Sequence, residues 1–121
     1  MRFLAALALS AVPAAAQVSS ASDLRDYAIA SCLIRQDASQ ALKTEGYRLA
    51  DIVIHRARID PFAWKSLSRT VDAAFAKREM LIVHVDAPVD QATQPAVLAS
   101  CLQVIDDPSV RRAMTKLRSG K

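Results

Sequence analysis

The residues of this chain that could do chemistry are two cysteines and two histidines: Cys32, Cys101, His55 and His84. A nucleophilic cysteine must form a thiolate within reach of a histidine base, and it is usually found at a helix start or beside glycines. Both cysteines instead fall in the middle of apolar, helix-like segments. We therefore expect no catalytic residue, and we interpret the protein as a non-enzyme.

A metal or cofactor site would need a pattern that the sequence does not contain. His55 and His84 have no second ligand at a binding spacing such as His-x-x-x-His, and His55 follows Asp51 as an ordinary surface pair of one helical turn. The haem motif Cys-x-x-Cys-His is missing, and two glycines cannot build a phosphate-binding loop. The adjacent Asp106 and Asp107 are better explained as a helix end and a helix cap than as a glycosidase pair. The sequence thus predicts no metal and no cofactor.

Residues 1–16 have the features of a cleavable secretory signal peptide. They contain one arginine, an apolar run and three consecutive alanines ahead of a polar stretch. An amphipathic first helix of the folded part is the weaker alternative, because residues 3–16 have no polar face. The apolar run is too short to cross a bilayer, which takes about 20 residues, and no later run approaches that length. We expect one helical domain, residues 17–121, in the bacterial periplasm and without membrane insertion.

An exported chain with an even number of cysteines is expected to form a disulfide. Cys32 and Cys101 are the only candidates, so the sequence predicts one bridge between them, with two buried free thiols as the alternative. Such a bridge would close a loop of about 70 residues, which the chain-entropy model values at about 4 kcal/mol.

The charge of the chain is mildly basic and evenly spread. Sixteen basic residues are interleaved with twelve acidic ones, for a formal net charge of +4. This balance favours solubility and steering toward an acidic partner, and a periplasmic protein is not expected to meet nucleic acid. The basic cluster near the end is interpreted as a solvated helix face and only secondarily as a partner patch: Arg111, Arg112, Lys116 and Arg118.

Capping signals and apolar periodicity together predict a bundle of helices. The segments cover about residues 23–36, 37–57, 60–78, 94–106 and 107–118. The residues predicted to face inward are Leu24, Tyr27, Ala28, Ser31, Cys32, Leu42, Gly46, Leu49, Val53, Ala57, Trp64, Leu67, Val71, Ala74, Phe75, Val97, Leu98, Cys101, Leu102, Ile105, Val110, Met114 and Leu117. The predicted fold is therefore all-α, a small four- to five-helix bundle with one intramolecular disulfide.

Two features of the predicted second helix concern how it begins and how it packs. Asp37 and Gln40 resemble a capping box at its start. Gly46 lies on its inner stripe, where glycine costs about 1 kcal/mol relative to alanine. Either another helix therefore packs closely at Gly46, or the helix breaks there.

The connection between the third and fourth helices is the first candidate for a binding surface. Residues 80–85 (MLIVHV) resemble a strand, but Pro88 and the polar run 89–93 indicate a connection of about 14 residues rather than a regular element. Loops of that length in compact domains are usually functional or mobile. The candidate partner-binding residues are Val83, His84, Val85, Asp86, Asp90 and Gln91.

The segments around the two cysteines resemble a known family. Residues 26–33 (DYAIASCL) and 99–106 (ASCLQVID) are similar to the corresponding helices of type VI secretion amidase-immunity proteins of the fourth Tai group, and the resemblance spans roughly residues 24–117. It implies a helical periplasmic protein, often a homodimer, that binds and blocks a papain-like NlpC/P60 peptidoglycan amidase effector. In such pairs a protruding segment plugs the substrate cleft, a part that residues 80–93 would fit.

A chaperone is the alternative from another functional class. A small, disulfide-bonded helical protein of the periplasm can also hold unfolded clients through exposed apolar surface. Saturable binding of one amidase would favour the immunity function, and acid-triggered binding of many clients would favour the chaperone.

Overall fold

The computed structural model describes residues 20–57, 60–84 and 93–118. Within these ranges the chain forms five α-helices and one pair of short antiparallel strands. The elements are α1 (Ala21–Arg35), α2 (Gln40–Ala57), α3 (Pro61–Ala76), β1 (Ile82–His84), β2 (Thr93–Pro95), α4 (Val97–Ile105) and α5 (Pro108–Arg118). The predicted all-α class is confirmed, with five helices.

Helix α1 is the central element and packs against each of the other four helices. It begins after Ser20, whose Oγ accepts a hydrogen bond from the backbone N–H of Asp23. This cap satisfies one of the free N–H groups at the helix start. The predicted inner stripe of α1 is buried at Leu24, Ala28, Ser31 and Cys32.

A disulfide joins α1 to α4. Cys32 and Cys101 are bonded, their Cα atoms lie 5.6 Å apart, and both side chains are fully buried. The predicted bridge is confirmed, and the alternative of two free thiols is wrong. Because the two sulfurs are bonded to each other, neither is a thiolate in this structure.

The turn between α1 and α2 corrects the predicted capping box. Ser39, not Asp37, caps α2, because its Oγ accepts a hydrogen bond from the N–H of Leu42 at 3.2 Å. The buried side chain of Gln36 fixes this turn through its Nε2, which donates to the carbonyls of Leu33 and Ser39, and its Oε1, which accepts from the N–H of Ser39. Asp37 instead accepts a hydrogen bond from Lys43.

Gly46 marks the closest approach of α1 and α2. A Cβ added at Gly46 would lie 2.9 Å from Cβ of Leu33 and 3.1 Å from the backbone oxygen of Ala30. Helix α2 is continuous through this position. Of the two alternatives for Gly46, close packing is therefore confirmed and a break in the helix is wrong.

An arginine fastens the end of α2 to the start of α1. Arg56 donates through Nε to Asp23 at 2.8 Å and through Nη2 to Asp26 at 3.3 Å. These two hydrogen bonds raise the pKa of Arg56. Asp23 also occupies the first turn of α1, where a negative charge is favoured by the helix dipole.

An aspartate directly before a proline predicts a helix start, and α3 and α5 begin at the two such pairs, Asp60-Pro61 and Asp107-Pro108. Asp60 accepts a hydrogen bond from the N–H of Phe62, and Asp107 accepts one from the N–H of Ser109. The inner face of α3 is also as predicted and joins one apolar core with the other helices. Its buried members are Trp64, Leu67, Val71 and Ala74.

The segment before α4 differs from the prediction. Ile82–His84, predicted to be part of a connection, pairs as a strand with Thr93–Pro95. Helix α4 consequently begins at Val97 rather than at Gln94. The pairing partners are separated in the sequence, so no local pattern could indicate them.

Candidate protein-binding surface

The two strands bring the ends of the predicted binding segment together. In the antiparallel register Ile82 pairs with Pro95, and His84 pairs with Thr93. Residues 85–92 connect His84 to Thr93 in the sequence. The strand pair therefore holds the two ends of this connection side by side.

The predicted partner-binding residues fall on β1 and on this connection. Val83 and His84 lie in β1, whose backbone is paired with β2. The other four lie outside the described residues: Val85, Asp86, Asp90 and Gln91. Their role in binding stays a prediction.

Hydrogen bonds attach the strand pair to α4. The backbone oxygen of Leu81 accepts from the N–H of Ala96 at 2.7 Å, and the N–H of Leu81 donates to Oγ of Ser100 at 2.9 Å. Ser100 is buried in α4 beside Cys101. Sequence reasoning missed Ser100, although a serine within an otherwise apolar helix face is a signal for a buried hydrogen bond. We call residues 81–84 and 93–105 the hairpin–α4 unit.

A second attachment lies where the chain leaves α3. Arg78 donates from Nη2 to Oδ2 of Asp107 at 3.2 Å. Oδ1 of Asp107 accepts from the hydroxyl of Ser109 at 2.6 Å and from its N–H at 2.9 Å. These bonds, led by the one from the Ser109 hydroxyl, lower the pKa of Asp107 from 3.8 to about 2. The Arg78–Asp107 pair thus joins the chain just after α3 to the start of α5.

Replacing Asp107 by asparagine is expected to make the free energy of unfolding depend less on pH in the acidic range. The folded pKa of Asp107 is about 2 and its ordinary value is 3.8, so its stabilisation is present above the ordinary value and is lost as pH falls toward 2. Urea unfolding of wild type and Asp107→Asn should therefore show a difference at neutral pH that shrinks between about pH 4 and pH 2.

The control for this experiment is Asp106→Asn. Asp106 is exposed, and its side chain makes no hydrogen bond or ion pair with other described residues. Its substitution should leave the unfolding midpoint unchanged. A constant difference between wild type and Asp107→Asn over the whole pH range would contradict the assignment.

The hairpin–α4 unit carries exposed apolar side chains. Among the described residues, eight large apolar side chains are exposed, and four of them belong to this unit. Their exposed fractions range from 36% to 58%: Leu81, Ile82, Leu98 and Leu102. Apolar side chains clustered in one unit are typical of surfaces that bind other proteins.

Leu98 and Leu102 correct the predicted inner face of α4. The sequence predicts that both face inward, but the buried residues of α4 are Val97, Ser100, Cys101, Val104 and Ile105. The error arises because α4 is short and apolar around most of its circumference, so periodicity cannot choose which side the bundle covers. Leu98 and Leu102 are one turn apart on the same side of α4, and both side chains are partly exposed.

Three further sequence-based expectations concern His55, metal binding and membrane insertion. His55 is exposed, and its Nδ1 lies 3.4 Å from Oδ1 of Asp51, the predicted surface pair. No cluster of three or more metal-ligating side chains occurs in residues 20–57, 60–84 and 93–118. Among the helices in these ranges, none has the length and apolar character to cross a membrane.

The resemblance to the fourth Tai group stays a prediction, because no family model, no curated protein and no solved structure matches this chain.

Proposed function

We propose that this chain is a periplasmic immunity protein that binds and inhibits a type VI secretion peptidoglycan amidase of the NlpC/P60 class. The resemblance of the two cysteine-bearing helices supports the family. The signal-like residues 1–16 and the disulfide fit an oxidising compartment. In this proposal the protein protects the producing cell by occupying the enzyme and does no chemistry of its own.

One observation carries the proposal: the hairpin–α4 unit leaves four large apolar side chains exposed on a fixed backbone. Burying a fully exposed leucine or isoleucine side chain contributes about 1.5–3 kcal/mol, and roughly half of that is still available to these partly exposed side chains. Leu98 and Leu102 project from a helix that is bonded through Cys101 to the centre of the bundle. Little conformational entropy is lost when such a surface binds, which favours tight inhibition from a modest contact area.

The position of the strand pair supports a role for the predicted plug. The register Ile82 with Pro95 and His84 with Thr93 holds the ends of residues 85–92 together. The bonds of Leu81 to Ala96 and Ser100 fix the base of this pair to α4. In the proposed complex residues 85–92 enter the substrate cleft of the amidase, and the apolar side chains beside them bind the rim of the cleft.

The test measures inhibition and binding of a panel of purified NlpC/P60-type amidases. Wild-type protein should inhibit one of them in a saturable manner. Leu98→Asp and Leu102→Asp place a charge in the proposed interface, and each should weaken binding by about a hundredfold or more. Tyr47→Asp, on the exposed side of α2, is the matched control and should leave affinity unchanged. Equal losses in all three variants, or no inhibition of any amidase, would contradict the proposal.

A chaperone remains the second candidate, because apolar exposure is not confined to the hairpin–α4 unit. Phe62 at the start of α3 is 80% exposed, and Tyr47, Ile52 and Ile54 of α2 are also exposed. Saturation by one folded amidase supports immunity. Suppression of aggregation of several denatured proteins at acidic pH, lost in Phe62→Ser and retained in Leu98→Asp, supports the chaperone.

The resemblance also implies a homodimer, which we include in the proposal. Sedimentation of the free protein and of its complex measures this directly. A free dimer that Leu98→Asp dissociates would place Leu98 between two copies, whereas a dimer unaffected by Leu98→Asp leaves this side chain for the amidase.

A further inference from the structure

A groove of about 350 Å³ lies on a different part of the molecule, between the start of α1, the end of α4 and one side of α5. The large apolar side chains in its lining are Leu24, Ile105 and Met114, one from each of the three helices. Its volume falls in the range of about 300–1,000 Å³ that is common for ligand sites. The groove shares no residue with the exposed apolar side chains of the hairpin–α4 unit.

Three arginines give the groove a positive charge. Arg25 comes from α1, and Arg111 and Arg118 come from α5. None of these guanidinium groups makes a hydrogen bond or an ion pair with another residue of the described ranges. Asp106 is the acidic residue in the lining, so the four charged groups sum to +2. The positive end of α1 adds to this potential, whereas the negative end of α4 opposes it.

The spacing of two arginines along α5 fits an elongated ligand. Arg111 and Arg118 are seven residues apart, which is two turns and about 10 Å along the axis. Met114 lies between them on the same side of the helix. In an extended peptide, side chains two positions apart lie on the same face at a spacing of about 7 Å. Acidic side chains four positions apart, at about 13 Å, therefore share one face with the apolar side chain midway between them, and this order matches arginine, methionine and arginine along α5. The long arginine and glutamate side chains cover the difference of about 3 Å between the two spacings.

From this geometry we infer that the groove binds an acidic peptide segment of a partner protein, with carboxylates held by the arginines and an apolar side chain on Leu24, Ile105 and Met114. Guanidinium and carboxylate form paired, charge-assisted hydrogen bonds, which are stronger than neutral ones. This site is separate from the proposed amidase-binding surface and does not depend on it. The mild excess of positive charge on the whole chain steers the same class of partner.

The test titrates a fluorescently labelled, blocked peptide with the core Glu-Ser-Leu-Ser-Glu into the full chain, at about 150 mM salt. Arg111→Gln and Arg25→Gln should each weaken binding about tenfold or more. Arg112→Gln is the matched control, since Arg112 is the next residue of α5, is exposed and does not line the groove. It should change affinity by less than about twofold. All three sites are exposed, and unchanged urea midpoints will verify that the variants are folded.

Two further peptides, inorganic phosphate and phosphatidylglycerol vesicles separate the alternatives. Gln-Ser-Leu-Ser-Gln and Glu-Ser-Ser-Ser-Glu should both bind more weakly than Glu-Ser-Leu-Ser-Glu, because each lacks one of the two recognised features. Three results would overturn the inference: equal losses in Arg111→Gln and Arg112→Gln, tighter binding of inorganic phosphate or of phosphatidylglycerol vesicles than of the peptide, or no peptide binding. The outcome is independent of the amidase assay, which uses Leu98 and Leu102.

Discussion

Removing the disulfide is expected to destabilise the protein by about 4 kcal/mol, from the entropy of the closed loop alone. Cys32 and Cys101 are separated by 69 positions in the sequence. When the protein unfolds, the bridge therefore still restricts the conformations of most of the chain. For a domain of this size, 4 kcal/mol corresponds to a fall of roughly 20 °C in Tm. Urea unfolding of wild type and of the double variant Cys32→Ala/Cys101→Ala measures the difference. Alanine is chosen because both sites are fully buried and a serine hydroxyl would lack partners.

The reductant provides an internal control for this experiment. Dithiothreitol should lower the stability of wild type toward that of the double variant and should leave the variant itself unchanged. A loss below about 1 kcal/mol would show that the unfolded chain is already compact without the bridge.

Replacing Gly46 by valine is expected to cost about 3 kcal/mol, because the added atoms overlap α1. The first added carbon would already lie 2.9 Å from Cβ of Leu33 and 3.1 Å from the oxygen of Ala30. The oxygen belongs to the backbone of α1, so relief requires the two helices to separate. Gly46→Ala should lie between wild type and Gly46→Val in urea midpoint.

The control for this series separates packing from helix propensity. Valine is a better helix former than glycine by a few tenths of a kcal/mol and a poorer one than alanine by about 0.6 kcal/mol. If helix propensity dominated, Gly46→Val would be neutral or stabilising, and Ala41→Val would be the destabilising change. Ala41 is exposed in the same helix, so if packing dominates, Gly46→Val should destabilise the protein more than Ala41→Val does. A Gly46→Val protein as stable as wild type would contradict the close contact.

Those parts of the fold that depend on local signals could be predicted from the sequence. Asp60 and Asp107, each before a proline, indicate the starts of α3 and α5 because capping and the missing proline N–H act within one turn. The buried stripe of α1 follows from spacing, and the bridge between Cys32 and Cys101 follows from an expected oxidising compartment and an even cysteine count.

The other parts depend on contacts between distant residues. Ser39 caps α2 in place of Asp37 because the buried amide of Gln36 fixes the turn, and both residue types are good caps in isolation. The exposure of Leu98 depends on which helices cover α4, which its own sequence does not specify. The groove with Arg25 and Arg111 exists only once the start of α1 meets α5.

Ser100 and Cys101 are adjacent along α4, and each attaches this helix to a different part of the molecule. Cys101 holds α4 against the bundle, and the adjacent Ser100 holds the base of the strand pair through the N–H of Leu81. A newly made, reduced chain lacks the covalent half of this arrangement. We expect amide hydrogen exchange at Leu81 to accelerate when the bridge is opened. Oxidation would then act as the maturation step of the surface that carries Ile82 and Leu98. If the proposed function holds, binding of the partner would begin only where thiols are oxidised.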